Sequence, residues 1–153
     1  MPAKAIPVGY EHVTPYLIVK GAAQAIEFYK KAFGATELFR MEHQGKIGHA
    51  EIKVGGGIVM LADEFPEMGH RSPTSLGGSS VGLLVYVENV DPFFDRAVSA
   101  GAKVVKPLQD QFYGDRSGTL TDPFGHQWTF ATHKEDVPPA EMSRRAEEAM
   151  KKK

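Results

Sequence analysis

Two stretches of the chain carry apolar residues at the three- and four-residue spacing of one helical face. The first runs from Gly21 to Phe33, and the second from Asp91 to Ala100, with Val90 just before it. A glycine follows each stretch, Gly34 in one case and Gly101 in the other, where helices commonly take a left-handed cap. We therefore predict two amphipathic helices, each with one face directed to a core.

The other patterned stretches are short β-rich runs, one before each helix and three after it. The predicted strands are 14–20, 37–41, 49–54 and 58–62 in the first half, and 81–87, 102–108, 117–121 and 126–132 in the second. The order strand, helix, three strands thus occurs twice. The turn glycines Gly57 and Gly125 recur at nearly the same offset as the helix-ending glycines, which indicates a duplicated module.

One βαβββ unit of about 60 residues is too small to cover both faces of its own sheet. We therefore expect an α+β fold in which two units, residues 12–62 and 81–135, pair into a curved, mostly antiparallel eight-stranded sheet around a cleft, with the helices outside. Segment 63–80 is rich in Pro, Gly and Ser and is expected to be a linking loop or a lid over the cleft. Residues 136–153 are expected to form a C-terminal tail or helix. An open concave face predicts a site for a small molecule.

Composition narrows the classes of function. The chain is 42% hydrophobic and 24% charged, as in ordinary globular proteins, and its formal net charge of -1 argues against nucleic acid as a partner. The absence of cysteine excludes thiol catalysis and cysteine-ligated metals. No apolar run approaches the ~20 residues of a membrane-spanning helix, and no apolar leader opens the chain. We expect a cytoplasmic protein without a membrane partner.

Longer stretches resemble a known superfamily. They are TPYLIVKGAAQAIEFYKKAFGA and HAEIKVGGGIVMLADE in the first half, and VYVENVDPFFDRAVSAGA and GDRSGTLTDPFGHQWTFATH in the second. The chain resembles the vicinal oxygen chelate proteins, which include glyoxalase I, extradiol dioxygenases, fosfomycin-resistance enzymes and bleomycin-resistance proteins. The resemblance is nearest to the PhnB-like, glyoxalase/bleomycin-resistance branch. It implies the paired-module fold, and it says little about activity because enzymes and binding proteins share these features.

The resemblance also implies metal ligands on the first and third strands of each module, pointing into the cleft and often shared across a dimer. The corresponding positions are Thr14 and Glu51 in the first module and Gly82 and Thr129 in the second. Only Glu51 has a side chain of the ligating kind, because glycine has none and threonine is a weak ligand. We therefore expect a homodimer that holds one divalent ion (zinc, nickel, manganese or iron) or no metal.

Strand alternation supplies further candidates from the residues themselves. His49 and Lys53 share the face of Glu51, and His12, two residues before Thr14, is predicted on the cleft face of the first strand. His12, His49 and Glu51 are thus the candidate metal ligands, and Glu51 is the candidate catalytic residue. In the alternative, Glu51 pairs with Lys53 or an arginine and no metal is bound.

The same alternation places Tyr16 and Tyr86 on the cleft faces of the two modules, where their rings suit a planar ligand. Tyr113 and Arg116 lie just before a strand and are predicted at the rim, where the guanidinium group suits a carboxylate or phosphonate. In the alternative, the tyrosines fill the interior, and Arg116 forms a salt bridge with Asp115 or between modules.

Two functions remain open at this stage. The first is a metal-assisted lyase or isomerase resembling glyoxalase, in which Glu51 or a metal-bound water moves a proton. The second is a binding protein resembling bleomycin-resistance proteins, which sequesters a flat drug or metabolite without chemistry.

Overall fold

The computed structural model describes residues 2–152 and contains two βαβββ modules and a C-terminal helix. The first module comprises β1 (Tyr16–Val19), α1 (Ala22–Phe33), β2 (Thr36–His43), β3 (Lys46–Val54) and β4 (Gly57–Asp63). The second comprises β5 (Gly82–Tyr86), α3 (Val90–Ala100), β6 (Lys103–Asp110), β7 (Asp115–Thr121) and β8 (Gln127–His133). Between them lie a 3-10 turn (Pro66–Met68) and the short helix α2 (Pro73–Leu76), and α4 (Pro139–Lys151) follows the second module.

The strands form two four-stranded sheets, in the orders β1-β4-β3-β2 and β5-β8-β7-β6. The outer pairs β1–β4 and β5–β8 are parallel, and the other pairs are antiparallel. The predicted fold class is confirmed, although the eight strands are divided into two sheets rather than joined into one. At the outer edge of β1, His126 Nε2 lies 3.0 Å from the Ile18 carbonyl oxygen and donates to it. A side chain of the second module thus bonds the β1 backbone where a strand of a continuous sheet would pair.

One face of each sheet is apolar and packs on the helices. Leu17, Val19, Ile52 and Leu61 of the first sheet are buried in the same core as Leu120, Trp128 and Phe130 of the second. Helix α1 supplies Tyr29 and Phe33, whose rings lie 5.5 and 4.9 Å from the ring of Trp128. Trp128 therefore belongs to the core, as the alternation of β8 predicts. The two modules share a single hydrophobic core, the other face of the first sheet remains open, and that of the second is partly covered by α4.

A buried carboxylate joins the modules at the centre of this core. Asp122 Oδ2 accepts hydrogen bonds from the Tyr29 hydroxyl at 2.6 Å and from Trp128 Nε1 at 2.9 Å. Its Oδ1 accepts from the backbone N–H groups of Phe124 and His126, which closes the β7–β8 turn. Burial, with Asp122 beside it, holds the pKa of Tyr29 well above its usual value, so the hydroxyl stays a donor.

Glu64 lies at the start of the linking segment, where its backbone N–H bonds the Val19 carbonyl of β1 at 3.1 Å and its carboxylate holds the segment's own turn. The Glu64 carboxylate accepts the backbone N–H of Ser72 at 2.6 Å, and the hydrogen bonds from this segment lower the pKa of Glu64 to about 2. Ser72 also caps α2 by accepting the N–H of Ser75.

Within residues 2–152 no helix has both the length and the apolar character needed to cross a lipid bilayer.

Candidate functional site

The open face of the first sheet carries a row of side chains across its four strands. The strand register places Tyr16 beside Met60, Met60 beside Glu51, and Glu51 beside Phe39. Tyr16 remains 46% exposed and Phe39 remains 48% exposed. This face therefore combines apolar rings with one carboxylate and is accessible to a ligand.

Three polar side chains on this face, Tyr16, His49 and Glu51, form a hydrogen-bonded chain. Tyr16 Oη lies 2.8 Å from His49 Nδ1, and His49 Nε2 lies 3.1 Å from Glu51 Oε2. A carboxylate only accepts, so His49 donates to Glu51 through Nε2–H, and in that tautomer Nδ1 accepts from the Tyr16 hydroxyl. Partial burial raises the pKa of Tyr16, which keeps it protonated. The partner of Glu51 is thus His49, and not Lys53 or an arginine.

The open face of the second sheet has an equivalent row with different chemistry. Leu84 lies beside Thr129, and Thr129 beside Thr119, whose hydroxyl oxygen is 2.8 Å from that of Thr129. Thr119 on β7 therefore occupies the place that Glu51 has on β3, whereas Thr129 lies on the fourth strand of its module. The expectation that Thr129 corresponds to Glu51 is therefore wrong. The corresponding residue is Thr119, one strand earlier.

A second polar chain runs along the end of this sheet. The Tyr86 hydroxyl donates to Asp115 Oδ2 at 2.7 Å, while His133 Nδ1 and Nε2 each lie 2.7 Å from a carboxylate, of Asp115 and Asp136 respectively. The hydrogen bond to Asp115 and then that to Asp136 raise the pKa of His133, since both ring nitrogens donate only in the imidazolium form. The hydrogen bond to Asp115 likewise raises the pKa of Tyr86.

Asp115 and His133 are site residues that the sequence patterns above do not single out. Their signal is the same alternation that places Tyr86, because Asp115 lies four residues before Thr119 and His133 four residues after Thr129. Tyr16 and Tyr86 themselves lie on the open faces of their sheets, and Tyr86 is 57% exposed.

Arg116 lies within β7, and not before it as the sequence pattern predicted. Arg116 alternates with Asp115 and therefore lies on the other face of β7 from Thr119. Its guanidinium group binds both oxygens of Asp91, at the start of α3, at 2.9 Å, and Asp110 at 3.3 Å. These carboxylates raise the pKa of Arg116, and the hydrogen bond from Arg116 lowers that of Asp91. Arg116 thus joins β7 to α3 and β6, and contact of its guanidinium group with a ligand stays a prediction.

Of the three predicted metal ligands, the structure brings His49 and Glu51 together and leaves His12 apart. Strand β1 begins only at Tyr16, so His12 lies in the irregular segment before it and lines a separate cavity with Gly57 and Leu84. His49 and Glu51 bond each other, and the described part of the chain holds no group of three or more His, Asp or Glu side chains able to hold a metal. With the third-strand position of the second module corrected to Thr119, the metal positions that the resemblance implies carry Thr14, Glu51, Gly82 and Thr119, and a set with one carboxylate does not fit a divalent ion.

Tyr113 lies at the edge of a different space. It lines a cavity of about 740 Å³ between the open face of the second sheet and helix α4, together with Phe112, Leu84 and the threonine pair. Tyr113 thus lies beside a cavity. Its contact with a ligand at the rim of the cleft stays a prediction.

Two βαβββ modules that pack their helices in one core and leave polar-lined, concave sheet faces open define a paired-module class of fold. The family model of the Glyoxalase/Bleomycin resistance protein/Dioxygenase superfamily matches residues 9–130. The chain belongs to this superfamily, and the predicted resemblance to the vicinal oxygen chelate proteins is confirmed.

Individual relatives agree with this assignment. An uncharacterized protein of Mycobacterium tuberculosis (strain ATCC 25618 / H37Rv) is 50% identical over 121 residues, which cover 76% of this chain and 71% of that protein. The crystal structure of TioX from Micromonospora sp. ML1 is similar with a TM-score of 0.65 and 34% identity, covering 80% of this chain and 98% of that chain. The fosfomycin resistance protein FosX from Listeria monocytogenes, solved with Mn(II) and sulfate, shares the fold at a TM-score of 0.61 and 17% identity, covering 88% and 96% of the two chains.

Proposed function

We propose that this protein binds a flat, partly apolar small molecule on the open faces of its sheets, and does so without a metal ion. The observation that carries the proposal is the pair of accessible tyrosines, Tyr16 and Tyr86, one on each open face. Each presents a ring for stacking, and each hydroxyl is fixed by a hydrogen bond, to His49 in one module and to Asp115 in the other. Fixed rings lose little side-chain entropy on binding, which favours recognition of planar molecules.

The donor set of the two modules supports binding rather than metal chemistry. Of the positions that the resemblance assigns to metal ligands, only Glu51 has a carboxylate and the others carry Thr14, Gly82 and Thr119, so no step through a metal ion is part of the proposal. The exposed apolar groups on the open faces, among them Phe39, Met41 and Leu84, also support a homodimer in which a second copy narrows the cleft. Light scattering of the purified protein tests this association, and a monomer at all concentrations contradicts it.

The binding proposal is tested with a library of planar heteroaromatic compounds, screened by thermal shift and measured by calorimetry. We expect Tyr16→Ala and Tyr86→Ala to weaken a hit about tenfold each, through loss of stacking area. Tyr16→Phe keeps the ring and retains most of the affinity. Met68→Ala is the control, since Met68 is exposed and belongs to the 3-10 turn between the modules rather than to a strand of either sheet. Hits whose affinity ignores both tyrosine variants contradict the proposal.

The chain Tyr16–His49–Glu51 favours a second function, proton transfer at carbon. Glu51 accepts from His49 Nε2–H and orients the ring, so Nδ1 is directed at the Tyr16 hydroxyl and the two side chains form a path for a proton. The test is turnover of the methylglyoxal–glutathione hemithioacetal, with metal content measured on the same sample. His49→Gln and Glu51→Gln should abolish any activity, and Lys53→Gln, a neighbour on the same strand, should not. An activity that survives His49→Gln contradicts this function.

A further inference from the structure

Helix α4 lies over the open face of the second sheet and leaves a space beneath it. The space has a volume of about 740 Å³, within the range of small-molecule sites. Its floor is formed by Ser117, Thr119 and Thr129, which are partly or fully buried although they lie on the open face. Ala146, Ala149 and Met150 of α4 form its roof. The family match ends at residue 130, so this roof lies outside the part of the chain shared with the superfamily model.

One arginine fixes the position of this helix. Arg145 donates two hydrogen bonds to the carboxylate of Glu135, at 2.9 and 3.0 Å, and one to the backbone carbonyl of Phe112 at 3.2 Å. The same ion pair lowers the pKa of Glu135. Arg144, the preceding residue, bonds only Glu141 and Glu148 within α4. The helix is therefore held to the second module through Arg145, and Arg144 provides a matched outward-facing control.

The lining of the space defines the chemistry of an occupant. Small or apolar side chains, among them Ala146, Ala149 and Leu84, bound it above and at the side, and hydroxyl groups bound it below. Two uncharged amides, Gln109 and Gln111, also line it. Among the lining residues within 2–152, Lys106 is the one charged side chain, and it lies beside Thr119 on the adjacent strand. An apolar body with one anionic group satisfies both the roof and the lysine.

We propose that α4 and the open face of the second sheet enclose a binding site for an aromatic or branched apolar molecule bearing one carboxylate or similar anion, with Lys106 and Ala149 determining its specificity. This inference rests on the proposed binding function and adds the charge of the ligand and the helix that closes over it. Ala149 sets the height of the roof, and Lys106 selects for the anion.

The test uses calorimetric titration of the full chain with 1-naphthoate and with 1-naphthamide, which has the same shape without the charge. Native protein should prefer the naphthoate about tenfold, and Lys106→Gln should remove that preference. Ala149→Trp fills the space and should weaken both probes about tenfold or more, whereas Arg144→Ala should bind as the native chain does. Circular dichroism confirms that each variant is folded.

The outcomes separate this inference from the binding function itself. If the naphthyl probes bind equally well to native and Ala149→Trp protein, or if the preference survives Lys106→Gln, the α4 site is refuted. If native protein binds neither naphthyl probe but binds library compounds in a Tyr16-dependent manner, the α4 site is refuted and the binding function stands. If nothing in either set binds, both are refuted.

Discussion

Replacing Asp122 by asparagine tests whether a single buried carboxylate holds the two modules together. Asp122 is 4% exposed and accepts four hydrogen bonds, from the Tyr29 hydroxyl, the Trp128 indole and the backbone N–H groups of Phe124 and His126. Each oxygen faces two donors. An amide has one oxygen only, so whichever way it turns, its NH₂ group faces two donors and at least one of them loses its partner.

The cost follows from the number of buried donors left unpaired. A buried group without a partner costs about 1–3 kcal/mol, and a hydrogen bond to a charged acceptor contributes about 1.5–3 kcal/mol. We therefore expect Asp122→Asn to lower the free energy of unfolding by about 3 kcal/mol and Asp122→Ala by about 4 kcal/mol. Tyr29→Phe removes one donor and should cost about 1.5 kcal/mol in the native background. In the Asp122→Ala background it should cost less, because the hydroxyl no longer has its acceptor.

Urea unfolding measures these differences, followed by far-ultraviolet circular dichroism and by the fluorescence of Trp128, the single tryptophan of the chain. Asp95→Asn is the control, because Asp95 is exposed on α3 and should change stability by less than about 0.5 kcal/mol. An Asp122→Asn variant as stable as this control, or a Tyr29→Phe cost that is the same in both backgrounds, would refute the reasoning.

Two further predictions concern the second module. The pKa of His133 is raised above its ordinary 6.5 by Asp115 and Asp136, so its contribution to stability is present below pH 6.5 and is lost as the pH rises through the folded-state pKa. Urea midpoints measured across this pH range should fall more in native protein than in His133→Gln. An equal fall of the midpoint with pH in both proteins contradicts a stabilising His133 ion pair. Gly118→Ala should lower stability by about 1–3 kcal/mol, because an added Cβ would lie 2.5 Å from the Phe94 ring; thermal unfolding measures it, and the double variant with Phe94→Leu should recover part of the loss.

Sequence patterns predict the structure well where one periodicity governs a whole element. Apolar spacing predicts α1 to within one residue, and alternation along β3 places His49 and Glu51 on the same open face. The prediction for His12 fails because it extends the alternation beyond the start of β1, into a segment whose backbone is not a strand. The prediction for Arg116 is wrong in its position, because it places this residue before the strand, whereas β7 already includes it and alternation turns it away from the face of Thr119.

Other features depend on distances that no local pattern contains. Asp122 meets Tyr29 across 93 positions of the chain, and Tyr86 meets Asp115 across 29. The position of α4 over the second sheet depends on the direction that the chain takes after β8. The helical pattern of α4 does not determine that direction. Such contacts follow from the packing of elements, so the sequence predicts the faces on which site residues lie, and only the fold predicts their partners.

The parallel pairing at the outer edge of each module has a consequence for how the chain acquires its structure. Tyr16 lies beside Met60, and Gly82 beside Gln127, so the opening strand of each half has no sheet to join until the closing strand of that half exists. Contacts so distant along the chain slow folding, because a long loop must close before any pairing compensates its entropy. On the ribosome, the first half emerges with its opening strand unpaired. The Tyr29 hydroxyl of α1 gains its acceptor, Asp122, only after the turn between β7 and β8 has been synthesised. Completion of the fold is thus a late event, reached only when nearly the whole chain has been synthesised.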